Sequence, residues 1–358
     1  MKPSPSSYLL NQTRYTPLSL LDHAEYQLGR GLPDWERDIY EVIRDWLDPT
    51  VTRLKAHTSG STGEPKEVSF TKAAMAQSAQ LTANRFDLHP GTTCLLCLPA
   101  KYIAGKMMII RALVNGWDLR YVEPSSNPAG KISSDIDFAA MIPLQVHRGL
   151  TDSPKQFAKI KQMIIGGAPI SSRTMDMIQQ TPTNCFATYG MTETLTHIAI
   201  RRLNGISRTE LFEVLPSVHL SQDERGCLLI EAPHLEERVL TNDLVELHGR
   251  GHFRWMGRYD NVINSGGVKI SPERVEGKLE PVIKERFYLI GQADEELGEK
   301  VILMVEGPAW TAERREQFDQ RTKKLLDRFE VPKEIRFVEQ FEETETGKVQ
   351  RIPPHQAN

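Results

Sequence analysis

His57-Thr58-Ser59-Gly60-Ser61-Thr62-Gly63-Glu64-Pro65-Lys66 lies between a run that reads as a strand and one that reads as a helix. Small hydroxyl residues and glycines ahead of a lysine let backbone N–H groups wrap around phosphate oxygens, with the ammonium adding point charge. The stretch is therefore built for a polyphosphate, although a Ser/Gly linker is the plain alternative. It departs from the loop G-x-x-x-x-G-K-[ST], because Pro65 directly precedes Lys66 and Glu67 stands where a hydroxyl would hold magnesium. A nucleotide bound here is held in another way.

The rest of the chain narrows the partners. Its 358 residues exceed what one core usually supports, so two domains are expected. With 44 Lys and Arg against 47 Asp and Glu, the net charge of -3 supplies no basic field for nucleic acid or anionic lipid. Small-molecule partners are favoured. The start of the chain lacks a signal-peptide core and no long apolar run follows, so a soluble cytoplasmic protein without membrane insertion is expected. Four cysteines form no disulfide framework. Cys94 and Cys97 sit in an apolar strand, where residues three apart face opposite ways, which argues against a zinc or redox pair.

Outward from the loop, the pattern is α/β. Apolar residues at Trp35, Ile39, Val42, Ile43 and Trp46 predict an amphipathic helix over 33–47. A short strand over 68–70 precedes a helix from Thr71, a good N-cap, to Phe86. Then come a strand over 93–98, a helix over 104–115 stopped by Gly116, strands at 119–122 and near Ala139 and Ile164, a helix over 171–180 and a strand over 184–188. Beyond about Arg201 the texture turns to short strands, including 226–231 and 244–248. After Gly257-Arg258-Tyr259-Asp260 the chain predicts a helix opening at Pro272, strands at 287–290 and 301–305, a charged helix over 312–329 and a strand near Ile335. These make a small α+β C-terminal domain.

Seven separated motifs then agree: His57 to Lys66, Gly166-Gly167-Ala168-Pro169, Tyr189-Gly190-Met191-Thr192-Glu193, Thr241-Asn242-Asp243, Gly257-Arg258-Tyr259-Asp260, Ser265-Gly266-Gly267-Val268-Lys269-Ile270 and Thr346-Gly347-Lys348-Val349. In this order they resemble the acyl-adenylate-forming enzymes, the superfamily of acyl-CoA ligases, nonribosomal adenylation domains and luciferases. The resemblance implies a large layered αβ domain over 1–259, shortened relative to the family, and a small mobile α+β domain over 260–358. Leu98-Pro99-Ala100-Lys101-Tyr102-Ile103-Ala104-Gly105, with Arg111 beyond it, is most similar to the o-succinylbenzoate–CoA ligases of menaquinone biosynthesis. The chain departs from that pattern, because Tyr102 replaces the usual histidine and Ala104 the usual serine.

The resemblance also implies roles. ATP, Mg2+ and CoA would serve a carboxylic acid, with the loop residues Thr58, Ser59, Gly60, Ser61, Thr62, Gly63 and Lys66 cradling the departing phosphates. Glu193 would hold magnesium and Thr192 donate to phosphate. Tyr189, Gly190 and the backbone of Gly166, Gly167 and Ala168 would flank adenine, while Asp243 accepts from the ribose hydroxyls and Arg258 adds a contact. Asn242 replaces the glycine usual before that aspartate. Lys348 would bridge the substrate carboxylate and the α-phosphate. Asp260 matches the hinge about which the small domain turns, bringing Gly266 and Gly267 toward pantetheine. Lys101, Tyr102, Lys106, Arg111 and His197 are candidates for the acyl pocket, where a second carboxylate needs a cation. Arg111 shares a helix face with Ala104 and Met108. A ligase for another acyl or aryl acid, a non-catalytic nucleotide- or acyl-binding protein and a phosphotransferase are the alternatives; a homodimer is left open. Lys348→Ala is expected to abolish acyl-AMP formation, measured by ATP–pyrophosphate exchange, and to spare thioester formation from preformed acyl-AMP. Equal loss in both would remove Lys348 from that role.

Overall fold

The computed structural model describes residues 5–57, 67–343 and 349–351. Two compact units divide the chain, one formed by Met1–His219 with Glu231–Val239 and the other by Leu220–Ile230 with Leu240–Asn358. The expected division is 1–259 and 260–358; in the packing, residues 220–230 and 240–259 group with the C-terminal residues.

The first unit is built on parallel strands Thr93–Leu96, Asp118–Tyr121, Ile136–Met141, Ile160–Ile165 and Asn184–Gly190. In space Thr93–Leu96 lies between Asp118–Tyr121 and Ile136–Met141, and Ile160–Ile165 and Asn184–Gly190 follow outward from the latter. The antiparallel strands His197–Arg202 and Phe212–Val214 extend one side. Tyr8–Leu10, parallel to Asp118–Tyr121, and its hairpin partner Thr13–Tyr15 extend the other.

Both faces of the central strands are buried, as parallel sheets require. Cys94, Leu96, Phe138, Ala140, Ile164 and Phe186 face one apolar cluster, whereas Leu95, Cys97, Ala139, Met141, Met163, Ile165, Cys185 and Ala187 face the other. Cys94 and Cys97 thus lie on opposite sides, as the alternation predicts. Helices Asp34–Leu47, Lys72–Arg85 and Ile103–Asn115 supply the first cluster through Ile43, Met75, Met108 and Ile109. Helices Pro143–Asp152 and Ser172–Ile178 supply the second through Val146 and Ile178. Each such fully buried side chain contributes about 1.5–3 kcal/mol.

Local chemistry sets the ends. The Thr71 hydroxyl accepts from Ala74 N–H to cap its helix, and Gly116, at φ 68°, closes helix Ile103–Asn115 in the left-handed conformation. The expected helix over 312–329 stops at Leu325. Leu326 turns extended, and the following turn brings the Phe329 ring against Gly266, where a Cβ would lie 2.4 Å from ring carbon Cε1. Three helices of the described residues went unpredicted, Pro17–Leu28, Pro143–Asp152 and the short Pro154–Phe157. The first buries only Leu20 and Ala24, too few to mark a period.

The second unit holds strands Cys227–Glu231, Val239–His248 and His252–Arg258 and a separate sheet. In that sheet Gly298–Glu306 pairs with Ile263–Ser265, Phe287–Asp294 and Glu334–Val338. Helices Pro272–Leu279 and Ala312–Leu325 cover it through Val275, Leu279 and Phe318.

Helix Ile103–Asn115 comes so close to the preceding turn that a Cβ on Gly105 would lie 2.3 Å from the Pro99 carbonyl oxygen and 2.7 Å from that of Leu98. Backbone cannot yield as a side chain can, so Gly105→Ala is expected to cost about 1–3 kcal/mol, measured as a lower urea midpoint at unchanged slope.

Candidate active site

In the first unit the candidate residues gather at the carboxyl ends of the parallel strands, the edge where open α/β sheets bind ligands. Lys101 and Tyr102 follow Thr93–Leu96, Gly166 to Ala168 follow Ile160–Ile165, and Tyr189 to Glu193 close Asn184–Gly190. Lys101 stands over the Tyr102 ring at 4.9 Å, and Lys106 donates to the Lys55 carbonyl at 2.5 Å. Strand Arg53–His57 pairs with Glu67–Thr71 in a register that sets His57 opposite Glu67, so residues 57 and 67 are neighbours. The loop residues Thr58, Ser59, Gly60, Ser61, Thr62, Gly63 and Lys66 lie outside the described residues, as does Lys348.

Close backbone approach explains the glycines. A Cβ on Gly166 would lie 2.3 Å from the Thr188 hydroxyl, and one on Gly190 2.5 Å from the Thr196 carbonyl oxygen. Tyr189 is buried, with its ring edge-to-face with Phe212 at 5.9 Å. Beyond Gly190 the chain turns sharply. Met191 N–H donates to the Thr194 hydroxyl at 2.9 Å, Leu195 adopts φ 67°, and its N–H donates to the Thr192 carbonyl. Glu193 stands exposed on this turn.

Arg111 is buried, with 2% of its surface exposed. Its guanidinium donates to the Thr82 hydroxyl at 3.2 Å and the Thr196 hydroxyl at 2.6 Å, lies 3.5 Å from Met108 Sδ and meets His197 Nδ1 at 3.5 Å. No carboxylate among the described residues pairs with it. Burial lowers its pKa to about 10, which still leaves a cation at neutral pH. Burial, then the Arg111 charge and His234, hold His197 well below the usual histidine range. With its Nδ1 accepting from Arg111, neutral His197 carries its proton on Nε2, which has no partner in the described structure. His234, also pushed down by burial, donates from Nε2 to the Thr194 carbonyl at 3.4 Å and leaves Nδ1 as an unpartnered acceptor. His234, Thr82 and Thr196 were not anticipated from sequence; only the lone arginine within Met107-Met108-Ile109-Ile110-Arg111-Ala112-Leu113 signalled the place.

In the second unit Asp243 is buried on strand Val239–His248 and accepts from Trp255 Nε1 at 3.2 Å. Arg258 stands opposite it in the register. Asp260 Oδ2 accepts from Asn242 Nδ2 at 2.9 Å and from Arg258 Nη2 at 3.4 Å. Gly266 and Gly267, at φ 59° and 79°, form the two-residue turn between Ile263–Ser265 and Val268–Ile270, a conformation that demands such residues. Among the described residues no group of three or more His, Cys, Asp or Glu is arranged to hold a metal ion.

Comparison with known proteins gives these features a frame. The chain is 27% identical over 266 residues to the 2-succinylbenzoate–CoA ligase of Escherichia coli (strain K12), a match covering 70% of this chain and 57% of that protein's length. An acyl-CoA synthetase (AMP-forming)/AMP-acid ligase II-like protein from Dyadobacter fermentans is 36% identical, with a TM-score of 0.64 and coverage of 92% and 95% of the two chains. The Bacillus subtilis o-succinylbenzoate coenzyme A synthetase (MenE), solved in complex with ATP and magnesium ion, shares the fold at a TM-score of 0.69 and 19% identity, over 93% of this chain and 81% of that one. The model of the AMP-binding enzyme family matches residues 16–218, more than half of the sequence, and the chain belongs to that family.

Proposed function

We propose that the chain is an ATP-dependent, AMP-forming acid–CoA ligase and that its acid is o-succinylbenzoate, the substrate class named for its relatives. The observation that carries the substrate reading is Arg111, a buried guanidinium whose partners are hydroxyls, a thioether and a neutral imidazole. An ion with no counter-ion among the described residues costs several kcal/mol in such a place, and a bidentate carboxylate is the ligand its fork geometry suits. In o-succinylbenzoate one carboxylate reacts while the second stays charged, and that second group would meet this cation. The His197 Nε2 proton offers a neutral donor beside it.

The reaction needs two displacements. A substrate carboxylate oxygen attacks the α-phosphorus of ATP, giving acyl-AMP and pyrophosphate; the CoA thiol then attacks the acyl carbon and AMP leaves with the electrons of the broken mixed anhydride. For the first step, family resemblance assigns the loop ending at Lys66 to the departing phosphates and Lys348 to the charge growing between carboxylate and α-phosphate. Thr192 would donate to phosphate, Tyr189 and the backbone of Gly166 to Ala168 would flank adenine, and Asp243 with Arg258 would hold the ribose. Magnesium, when bound, supplies charge neutralisation at the phosphates. Exposed Glu193 fits it as a hard oxygen ligand, because this ion is usually held by one or two carboxylates with substrate phosphates and water.

For the second step the small domain would turn about Asp260, bringing the Gly266–Gly267 turn to the pantetheine arm. A cytoplasmic setting agrees with four buried cysteines that are all free thiols. Among the described residues no helix is long and apolar enough to cross a membrane.

A panel of carboxylic acids scored for CoA-dependent AMP release tests the substrate. o-Succinylbenzoate is expected to lead, and success only with a fatty or simple benzoic acid would overturn the choice. Arg111→Met is expected to lower kcat/KM for the diacid by about 100-fold, while any slow turnover of a monoacid is unchanged and stability is held or raised by about 1 kcal/mol. Equal loss for both acids would separate Arg111 from the second carboxylate.

A further inference from the structure

We infer that Asn242 is a positioning residue for the two-step reaction: its side-chain amide restrains Asp260, and removing it shifts the balance between the two half-reactions. The inference rests on the reading of Asp260 as the pivot. Asn242 lies on strand Val239–His248, directly before Asp243. Successive strand residues face opposite ways, so Asn242 points away from the side taken by Asp243, and it reaches the turn at 259–261.

Both ends of the amide are used. Its Nδ2 donates to Asp260 Oδ2 at 2.9 Å, and its Oδ1 accepts from Arg225 Nη1 at 3.0 Å. Because the oxygen faces a guanidinium and the nitrogen a carboxylate, the orientation of the amide is determined. Arg225 is itself anchored. It binds Asp223 Oδ2 through Nε and Nη2 at 2.8 Å, donates to the Thr241 carbonyl at 3.3 Å and stands over the Tyr259 ring at 5.1 Å. A fixed arginine thus orients Asn242 and also covers the residue next to the pivot.

Asp260 is exposed, and its other partner among the described residues is Arg258 at 3.4 Å. A turn at Asp260 that includes its N–Cα bond carries the carboxylate away from an amide that the strand holds in place. The Asn242 contact therefore belongs to one backbone state and not to the other, which is the condition for a side chain to bias an equilibrium. Since the contact is exposed to water, its effect is a matter of a few-fold, about 3–10, and not of orders of magnitude.

Single-turnover measurement of each half-reaction at saturating substrates reads this directly, with acyl-AMP formation followed from ATP and thioester formation from preformed acyl-AMP. In Asn242→Ala one half-reaction is expected to gain about 3–10-fold while the other stays level or falls. Arg225→Ala should move the same half-reaction in the same direction by less, and the double variant should add nothing to Asn242→Ala. Loss in both half-reactions together, or gain in neither, would overturn the inference, because a merely structural contact would lower both. Asp260→Pro separates this from failure of the pivot itself. If Asp260→Pro leaves adenylation intact and blocks thioester formation, the pivot stands and the Asn242 result alone decides; if it leaves both intact, the pivot lies elsewhere and the inference falls with it.

Discussion

Burial of both faces of the parallel strands is the constraint on which the rest of this structure depends. Thr93–Leu96, Ile136–Met141, Ile160–Ile165 and Asn184–Gly190 alternate their apolar side chains between two clusters, so neither face is left for polar chemistry. Polar groups are driven to the strand ends, where backbone leaves the ladder and the chain turns. The Gly166 and Tyr189 segments are neighbours for this reason, since Ile165 pairs with Ala187 at the ends of adjacent strands.

The exception is Arg111. It stands one turn beyond Met108 among the buried residues of its helix, from Met107 to Leu113, and it takes a full charge with it. Nothing in the packing requires a guanidinium there, and hydroxyls at Thr82 and Thr196 solvate it without neutralising it. Such a residue costs stability, and proteins tolerate that cost where function needs it. Burial, with the same charge adding to it, keeps His197 neutral, so a cationic and a neutral donor stand in a single cluster.

Much of this was legible in the sequence. The Thr71 cap, the Gly116 stop and the opposite facing of Cys94 and Cys97 follow from local rules that tertiary structure had no reason to override. Helix Pro17–Leu28 escaped because a two-residue buried face leaves no period, and the last helix ends at Leu325, where Leu326 turns extended and the chain goes on to set Phe329 against Gly266. Asn242 read as a departure from a family motif; in the structure it joins Arg225 to Asp260.

By itself the sequence determined the strand–helix alternation, the turns that need glycine and the order of motifs that marks an AMP-binding enzyme, since each depends on neighbours a few residues apart or on residue identity alone. Only the tertiary structure decided that Arg111 is a buried cation and not a helix-surface charge, and that His234 joins His197 near it. Those facts depend on segments separated by up to about a hundred residues, whose meeting is set by which strands pair and which faces are covered.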